Sequence, residues 1–341
     1  MQMHVDTESW VYKTPFRVSR GAETALDVVV VTLTGPDGHV GRGEAAGVDY
    51  DGESVALLRA QLEAVRPAIE RGLDRAGVGR AAKGGATPGF AALATLLPKG
   101  GARNAVDCAL WDLAAKQRRM TVWELADLPS PRRLTTSITL GIDTDEAVLR
   151  GARLYKQWPL IKVKVDGERH LDAVRLVHAA CPEAGLIVDP NQAWSCDLLN
   201  RLAPEMKSLG VVLIEQPVAR GEDETLRAYT GPIRLAADES IADRTGLSAV
   251  KDLYQMVNVK LDKTGGLTEA LALAREARAL GIQVMVGCMA GTSLAMAPGM
   301  VVGQLAEFVD LDGPLLHAKD REHGIGYDRG LMNLPLAALW G

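Results

Sequence analysis

From about residue 135 onward the chain is built of short apolar runs, each closed by polar residues and followed by a segment with helical spacing. Eight such runs can be read: SITLGI, LIKVKVD, GLIVDPN, VVLIEQP, IRLAADES, MVNVKLDK, QVMVGCM and FVDLDG. The residues that close them recur at a steady interval. Lys164 to Asp189 is 25 positions, then 26 to Glu215, 23 to Asp238, 22 to Lys260, 28 to Cys288 and 22 to Asp310. A strand, a helix and two short loops use about that much chain, so one βα unit is repeated. Runs that are apolar throughout fit parallel strands covered on both faces. The closed form of the repeat is a barrel, whose site lies at the C-terminal strand ends, and here the charged residues stand at those ends.

The first 130 residues follow a different pattern. A β-branched run at 28–33 is closed by Gly35, Pro36, Asp37 and Gly38 before Val40 resumes, which predicts a hairpin in a small antiparallel sheet. Residues 54–70 and 102–117 have helical spacing, and the Gly- and Ala-rich stretch 77–101 reads as loop around a short helix. At 341 residues and 47% hydrophobic, the chain has room for one domain of about 200 to 250 residues and a smaller one. The glycines Gly35, Gly38, Gly41 and Gly43 serve backbone geometry rather than phosphate binding.

A formal net charge of -5, with no run of basic residues, gives no general attraction to nucleic acid or to anionic membranes. Cys108, Cys181, Cys196 and Cys288 lack CxxC spacing, and the N-terminus lacks the basic-then-apolar order of a signal peptide, so a reduced, cytoplasmic setting is expected. Residues 281–306 carry no charge and are long enough to cross a bilayer. Gly287, Gly291, Pro298, Gly299 and Gly303 break that stretch, so it reads as a buried strand, a loop and a buried helix. No membrane span is expected, and a homo-oligomer is compatible with the sequence without being specified by it.

Three acids, Asp189, Glu215 and Asp238, end three successive strands and so point into one mouth. Uncompensated, they would repel strongly. Singly, each would be read as a helix cap or a lysine's partner; in register at consecutive strands they suit a hard divalent cation, Mg²⁺ rather than zinc. Lys162 and Lys164 flank Val163, so the period of two puts both ammonium groups on one face. Lys260 ends a strand four staves round the barrel from Lys164. A lysine beside a metal and other cations has its pKa lowered, which makes it available as a base. Lys156, Lys251 and Lys263 read as solvated surface charge. A metal that stabilises a developing enediolate, with bases on both faces of the carbon, describes racemisation or epimerisation.

The KVK, VDPN, IEQP, ADES and VKLDKTGG segments resemble the enolase superfamily, in its muconate lactonizing subgroup, over nearly the whole chain. The resemblance implies an α/β fold, a modified (β/α)7β barrel (131–316) with an N-terminal α+β capping domain (1–130) completed by the C-terminal tail (317–341). It implies Asp189, Glu215 and Asp238 as Mg²⁺ ligands, Lys164 and Lys260 as the two acid/base groups, and Lys162 as a cation beside the substrate carboxylate. Pro190 stands where many relatives have alanine, and its bias toward extended geometry still lets Asp189 finish its strand.

Within the subgroup, LDKTGGLTEALALA, the GCM segment and DLDGP are similar to dipeptide epimerases of the L-Ala-D/L-Glu type. That resemblance implies a small-molecule dipeptide substrate whose ammonium is held by Asp310 and Asp312, on one strand face, with Cys288 and Met289 also in contact. The bland alternative pairs those acids with tail cations such as Lys319. The loops 16–23 and 45–53 are expected over the mouth, with Arg17 and Arg20 available to a distal carboxylate. The same lysines and metal would also serve o-succinylbenzoate synthase, N-succinylamino acid racemase or cycloisomerase chemistry. A barrel that binds metal without activity is a third reading.

Overall fold

The computed structural model describes residues 1–18, 21–72 and 90–341. Strands β1 (Gln2–Val18), β2 (Gly21–Thr34) and β3 (Val40–Ala45) form an antiparallel sheet in that order. The predicted hairpin is β2–β3, paired from Val29↔Ala45 to Thr34↔Val40, with Gly38 at φ +82° in its turn. Helices α1 (Val55–Gly72), α2 (Phe90–Leu96) and α3 (Gly101–Arg118) accompany it.

Two of the glycines attributed to backbone geometry serve a close approach. A Cβ on Gly41 would lie 2.2 Å from the Ala109 carbonyl oxygen, and one on Gly43 2.1 Å from that of Ala105. Only glycine lets α3 lie this near β3. Most of α3 is buried, because its other side meets the barrel. There Trp111 Nε1 donates to Thr268 Oγ1 (2.9 Å), and Asp107 accepts the Thr268 N–H and hydroxyl (both 2.8 Å).

All eight apolar runs are parallel strands of one sheet, in sequence order. They are β5 (Ile138–Leu140), β6 (Leu160–Lys164), β7 (Gly185–Asp189), β8 (Val211–Glu215), β9 (Arg234–Ala237), β10 (Met256–Lys260), β11 (Gln283–Gly287) and β12 (Phe308–Val309). The ends of the sheet meet where the Ser137 N–H donates to the Val309 carbonyl at 2.8 Å. The inward residues Leu160, Ile187, Leu213, Ala236, Met256 and Met285 form a separate apolar cluster that fills the interior. By the period of two, Lys162, Asp189, Glu215, Asp238 and Asn258 stand one inward position above them.

The repeat is less regular than expected. After β8 the crossover contains a 3-10 segment (Asp223–Ala228), and after β9 a 3-10 turn (Arg244–Gly246) and a four-residue helix (Leu247–Val250). Pro217, Gly221, Gly231 and Pro232 crowd the first of these and leave little chain for a full helix. Past β12 only a four-residue helix follows (Gly313–Leu316), and then the tail. The tail strands β13 (Tyr327–Asp328) and β14 (Leu331–Met332) form a hairpin, and β14 pairs with β4 (Leu134–Thr135), just ahead of β5. The tail then returns to the cap, where Trp340 Nε1 donates to the Cys108 carbonyl (3.1 Å) and Arg42 to the carbonyls of Ala338 (2.8 Å) and Leu339 (3.0 Å).

The uncharged stretch 281–306 resolves into β11, a loop and the buried helix Ser293–Gly303. Among the described residues no helix is long and apolar enough to cross a membrane.

Candidate active site

A cavity of about 570 Å³ lies between the strand ends and the cap. Lys162, Lys164, Asp238, Lys260, Asp310 and Asp312 face it from the barrel, with Cys288 and Met289 from the loop after β11. Tyr12, Glu23, Leu26, Asp49, Tyr50 and Val55 face it from the cap, so the expected loop 45–53 does lie over the mouth. The other expected loop is different: Phe16↔Glu23, Arg17↔Ala22 and Val18↔Gly21 are paired, which makes it the tip of the β1–β2 hairpin. Arg20 and the side chain of Arg17 lie outside the described residues.

The charges interlock. Lys164 Nζ donates to Asp189 Oδ2 (2.6 Å) and Asn191 Oδ1 (2.9 Å). Four strands away, Lys260 Nζ donates to Asp238 Oδ2 (2.6 Å). Lys162 is 2% exposed, with Nζ 3.1 Å from Asp189, 2.8 Å from Glu215 Oε2 and 2.9 Å from Asp310.

Burial opposes the charges of Asp189, Glu215 and Lys260, and their neighbours decide the outcome. Lys164 and Lys162 hold Asp189 down at about 2 against its burial. Burial, reinforced by Asp189 and Asp238, raises Glu215 to about 7 despite Lys162. Lys260 was expected to be depressed. In the protein alone burial lowers it, but Asp238, Tyr50 and Glu215 together outweigh that burial and raise it. A dication held by the same carboxylates would act on Lys260 in the opposite direction.

Several side chains were placed wrongly or missed by sequence reasoning. Lys263, assigned to the surface, is buried and donates to Asp238 Oδ1 and the Asp238 carbonyl (both 2.6 Å) and to the Asn258 carbonyl (2.9 Å). It sits in the helical turn Leu261–Thr264 directly after β10, which folds it back under Asp238. Asn258 Nδ2 donates to Glu215 Oε1 (2.9 Å), and Asn191 links Lys164 to Glu239.

Asp310 and Asp312 face the cavity, but from the turn after β12, since that strand stops at Val309. Asp310 accepts from Ser137 Oγ (2.6 Å) and Lys162 (2.9 Å), and Asp312 from the Thr139 N–H (2.6 Å). The Lys319 ammonium lies instead over the Trp10 ring, 5.9 Å from its centre. Burial and the charge of Asp310 raise Asp312 to about 7.

Among the described residues no three His, Cys, Asp or Glu side chains are gathered closely enough to hold an ion as they stand; Lys162 contacts both Asp189 and Glu215. The donor chemistry nonetheless fits a hard cation. Asp189, Glu215 and Asp238 offer only carboxylate oxygens, all buried. Glu215 Oε2 is buried without a hydrogen-bond partner, Lys162 being close but off the bonding direction. The cation beside it is the Lys162 ammonium, which Asp189 and Asp310 share, so this oxygen keeps bonding capacity that a hard cation could take.

The chain matches the family described as "Enolase C-terminal domain-like" over residues 145–335, and "Mandelate racemase / muconate lactonizing enzyme, N-terminal domain" over residues 1–126. It belongs to the enolase superfamily. This member is 39% identical over 329 residues to an L-Ala-D/L-Glu epimerase of Escherichia coli (strain K12), covering 96% of this chain and 98% of that protein. It is 45% identical over 249 residues to an N-acetyl-D-glutamate racemase of Pseudoalteromonas, covering 73% of this chain and 79% of the relative. A solved dipeptide epimerase from Methylococcus capsulatus, complexed with Mg and the dipeptide L-Arg-D-Lys, is 30% identical. It superposes with a TM-score of 0.87 over 98% of this chain and 96% of that one.

Proposed function

We propose that this enolase superfamily member is a dipeptide epimerase of the L-Ala-D/L-Glu type, inverting the carbon next to the carboxylate. The observation that carries this reading is the placement of Lys164 and Lys260 on β6 and β10, four staves apart, facing one cavity. A base on each side of the carbon lets a proton leave one face and return to the other. The relatives from Escherichia coli and Methylococcus capsulatus support the dipeptide class.

Asp189, Glu215 and Asp238 would hold Mg²⁺, the ion present in the Methylococcus capsulatus structure. Bound there, it supplies neutralisation of the substrate carboxylate and of the second negative charge that develops as the α-proton leaves. Lys162, buried between three acids, adds fixed positive charge beside that carboxylate. Lys164, as neutral amine, takes the proton from one epimer while Lys260 delivers one from the other side; the roles exchange for the reverse reaction. Asn191, which accepts from Lys164 Nζ, keeps that nitrogen at the strand end. Asp310 and Asp312, with Cys288 and Met289 beside them, form the wall for the substrate's free ammonium group. Arg20 remains the candidate for a distal carboxylate. The four unpaired cysteines support a cytoplasmic setting.

A second reading, racemisation of an N-acylated amino acid, is favoured by the 45% identity to the N-acetyl-D-glutamate racemase. The deciding experiment is turnover in D₂O, read by mass spectrometry, of L-Ala-L-Glu against N-acetyl-glutamate and N-succinyl amino acids. Deuterium incorporation and inversion of the dipeptide alone are expected. Preferential turnover of the acylated compounds would leave the two-lysine chemistry and remove the dipeptide assignment.

A further inference from the structure

We propose that Gln216 is a positioning residue for the metal site, holding the ends of β7, β8 and β9 in the register that brings Asp189, Glu215 and Asp238 together. This rests on the assignment of those carboxylates to Mg²⁺. Gln216 follows Glu215, is fully buried, and does not line the cavity. All four of its polar handles reach neighbouring strand ends. Its N–H donates to the Ala236 carbonyl (2.8 Å), and its carbonyl accepts the N–H of Gln192 (2.9 Å), three residues past Asp189. Its side-chain Oε1 accepts the N–H of Asp238 itself (2.9 Å) and of Ser240 (3.1 Å). Nε2 donates to the Val218 carbonyl (3.0 Å), Ser240 Oγ (2.9 Å) and Tyr254 OH (3.2 Å).

Two backbone donors on one end and a backbone acceptor on the other leave the amide a single orientation. The conformation is also enforced. Gln216 has φ +37°, and Asn191 and Gln192, after Asp189, have +44° and +71°. Non-glycine residues seldom adopt this left-handed geometry, and here it occurs after two of the three acids that precede the cavity. Neither a Leu nor an Asn at 216 reproduces the network: the first lacks the acceptor, the second is one methylene too short to reach Asp238.

A merely structural network would weaken the fold and leave the ion's affinity alone. The two are separated by Mn²⁺ and Mg²⁺ titration of the apo protein by calorimetry, together with thermal unfolding. Gln216→Leu is expected to weaken ion binding about 10- to 100-fold, the usual cost of losing an outer-shell partner. Gln216→Asn must show the same loss, and stands in if the Leu variant does not fold. Gln216→Glu, which keeps an acceptor for both N–H groups, should stay within about threefold of wild type. Tyr254→Phe removes one partner of Nε2 and the hydroxyl's bond to Asp223 (2.6 Å) but leaves the Oε1 acceptor end intact, and should lower Tm with Kd unchanged. Ion affinity unchanged in both Leu and Asn variants, or weakened equally by Tyr254→Phe, overturns the role of Gln216. Asp238→Asn is the separate control: if it too binds the ion normally, the metal assignment itself is wrong.

Discussion

Asp262 Oδ1 accepts the backbone N–H of Gly47 at 3.0 Å, tying the helical turn that follows Lys260 to the cap loop over the cavity. The carboxyl is buried, and burial raises it to about 7 from its ordinary 3.8. Between those two values the folded protein holds a proton that the unfolded chain releases. The stability it contributes is therefore complete below 3.8 and lost as pH rises through 7. A rise of this size corresponds to on the order of 4 kcal/mol. Asp262→Asn keeps an acceptor for Gly47 and does not titrate. Relative to that variant, the wild type should gain stability as pH falls from 8 to 5, read from urea midpoints. A difference that stays constant with pH would remove Asp262 from the account.

The opposition of Lys164 and Lys260 predicts one-sided variants. Lys164→Ala and Lys260→Ala should each abolish net epimerisation, yet each should still exchange the α-proton of one epimer with D₂O, because one base remains in place. The two variants should favour opposite epimers in NMR exchange measurements. Normal epimerisation by either variant is incompatible with the two-base mechanism.

Asp312 carries the choice between a free and an acylated amine. Ammonium bonds to a shielded carboxylate are worth about 1.5 to 3 kcal/mol each, so a free dipeptide should exceed its N-acetyl form roughly a hundredfold or more in kcat/KM. Asp312→Asn should narrow that ratio while leaving Mg²⁺ affinity near wild type, since the three candidate ligands stand on other strands. Because Asp312 sits near 7 in the protein, binding of the ammonium should strengthen as pH rises through that value. Kinetics of L-Ala-L-Glu and N-acetyl-L-Ala-L-Glu between pH 6 and 8.5 check both points, and equal turnover of the two compounds refutes them.

Arg321 of the tail joins three separate segments. It donates to Glu44 Oε2 from Nη2 (2.7 Å), to Glu8 Oε2 (2.6 Å) and, through Nε, to Thr292 Oγ1 (2.6 Å). Glu44 is 1% exposed, and its burial raises its pKa even beside this guanidinium. Arg321→Met should therefore cost about 3 to 5 kcal/mol, the typical result of leaving a buried charge unpaired. Adding Glu44→Gln should recover part of that loss in urea unfolding. If the double variant were less stable than Arg321→Met, the buried charge would not be the cause.

The barrel, the order of its strands and the charged ring at their ends were legible in the amino-acid sequence because each depends on a local repeat. The period of two places Lys162 and Lys164 on the face of Leu160, and the interval of about one βα unit brings Asp189, Glu215 and Asp238 to adjacent staves. Spacing carries no information about what a chain reversal brings back. Lys263 passed for surface charge until the turn after β10 folded it beneath Asp238. Gln216 looked like part of a motif until its amide was found bonded to the backbone of the next strand end. Asp310 and Asp312 were placed on a strand that stops at Val309, before either of them, and their partners Ser137 and Thr139 lie more than 170 positions away. Local periodicity depends on backbone geometry that every short segment carries by itself. Charge pairing, burial and the resulting pKa depend on neighbours distant in sequence, and these exist only once the barrel has closed and the cap and tail have docked on it.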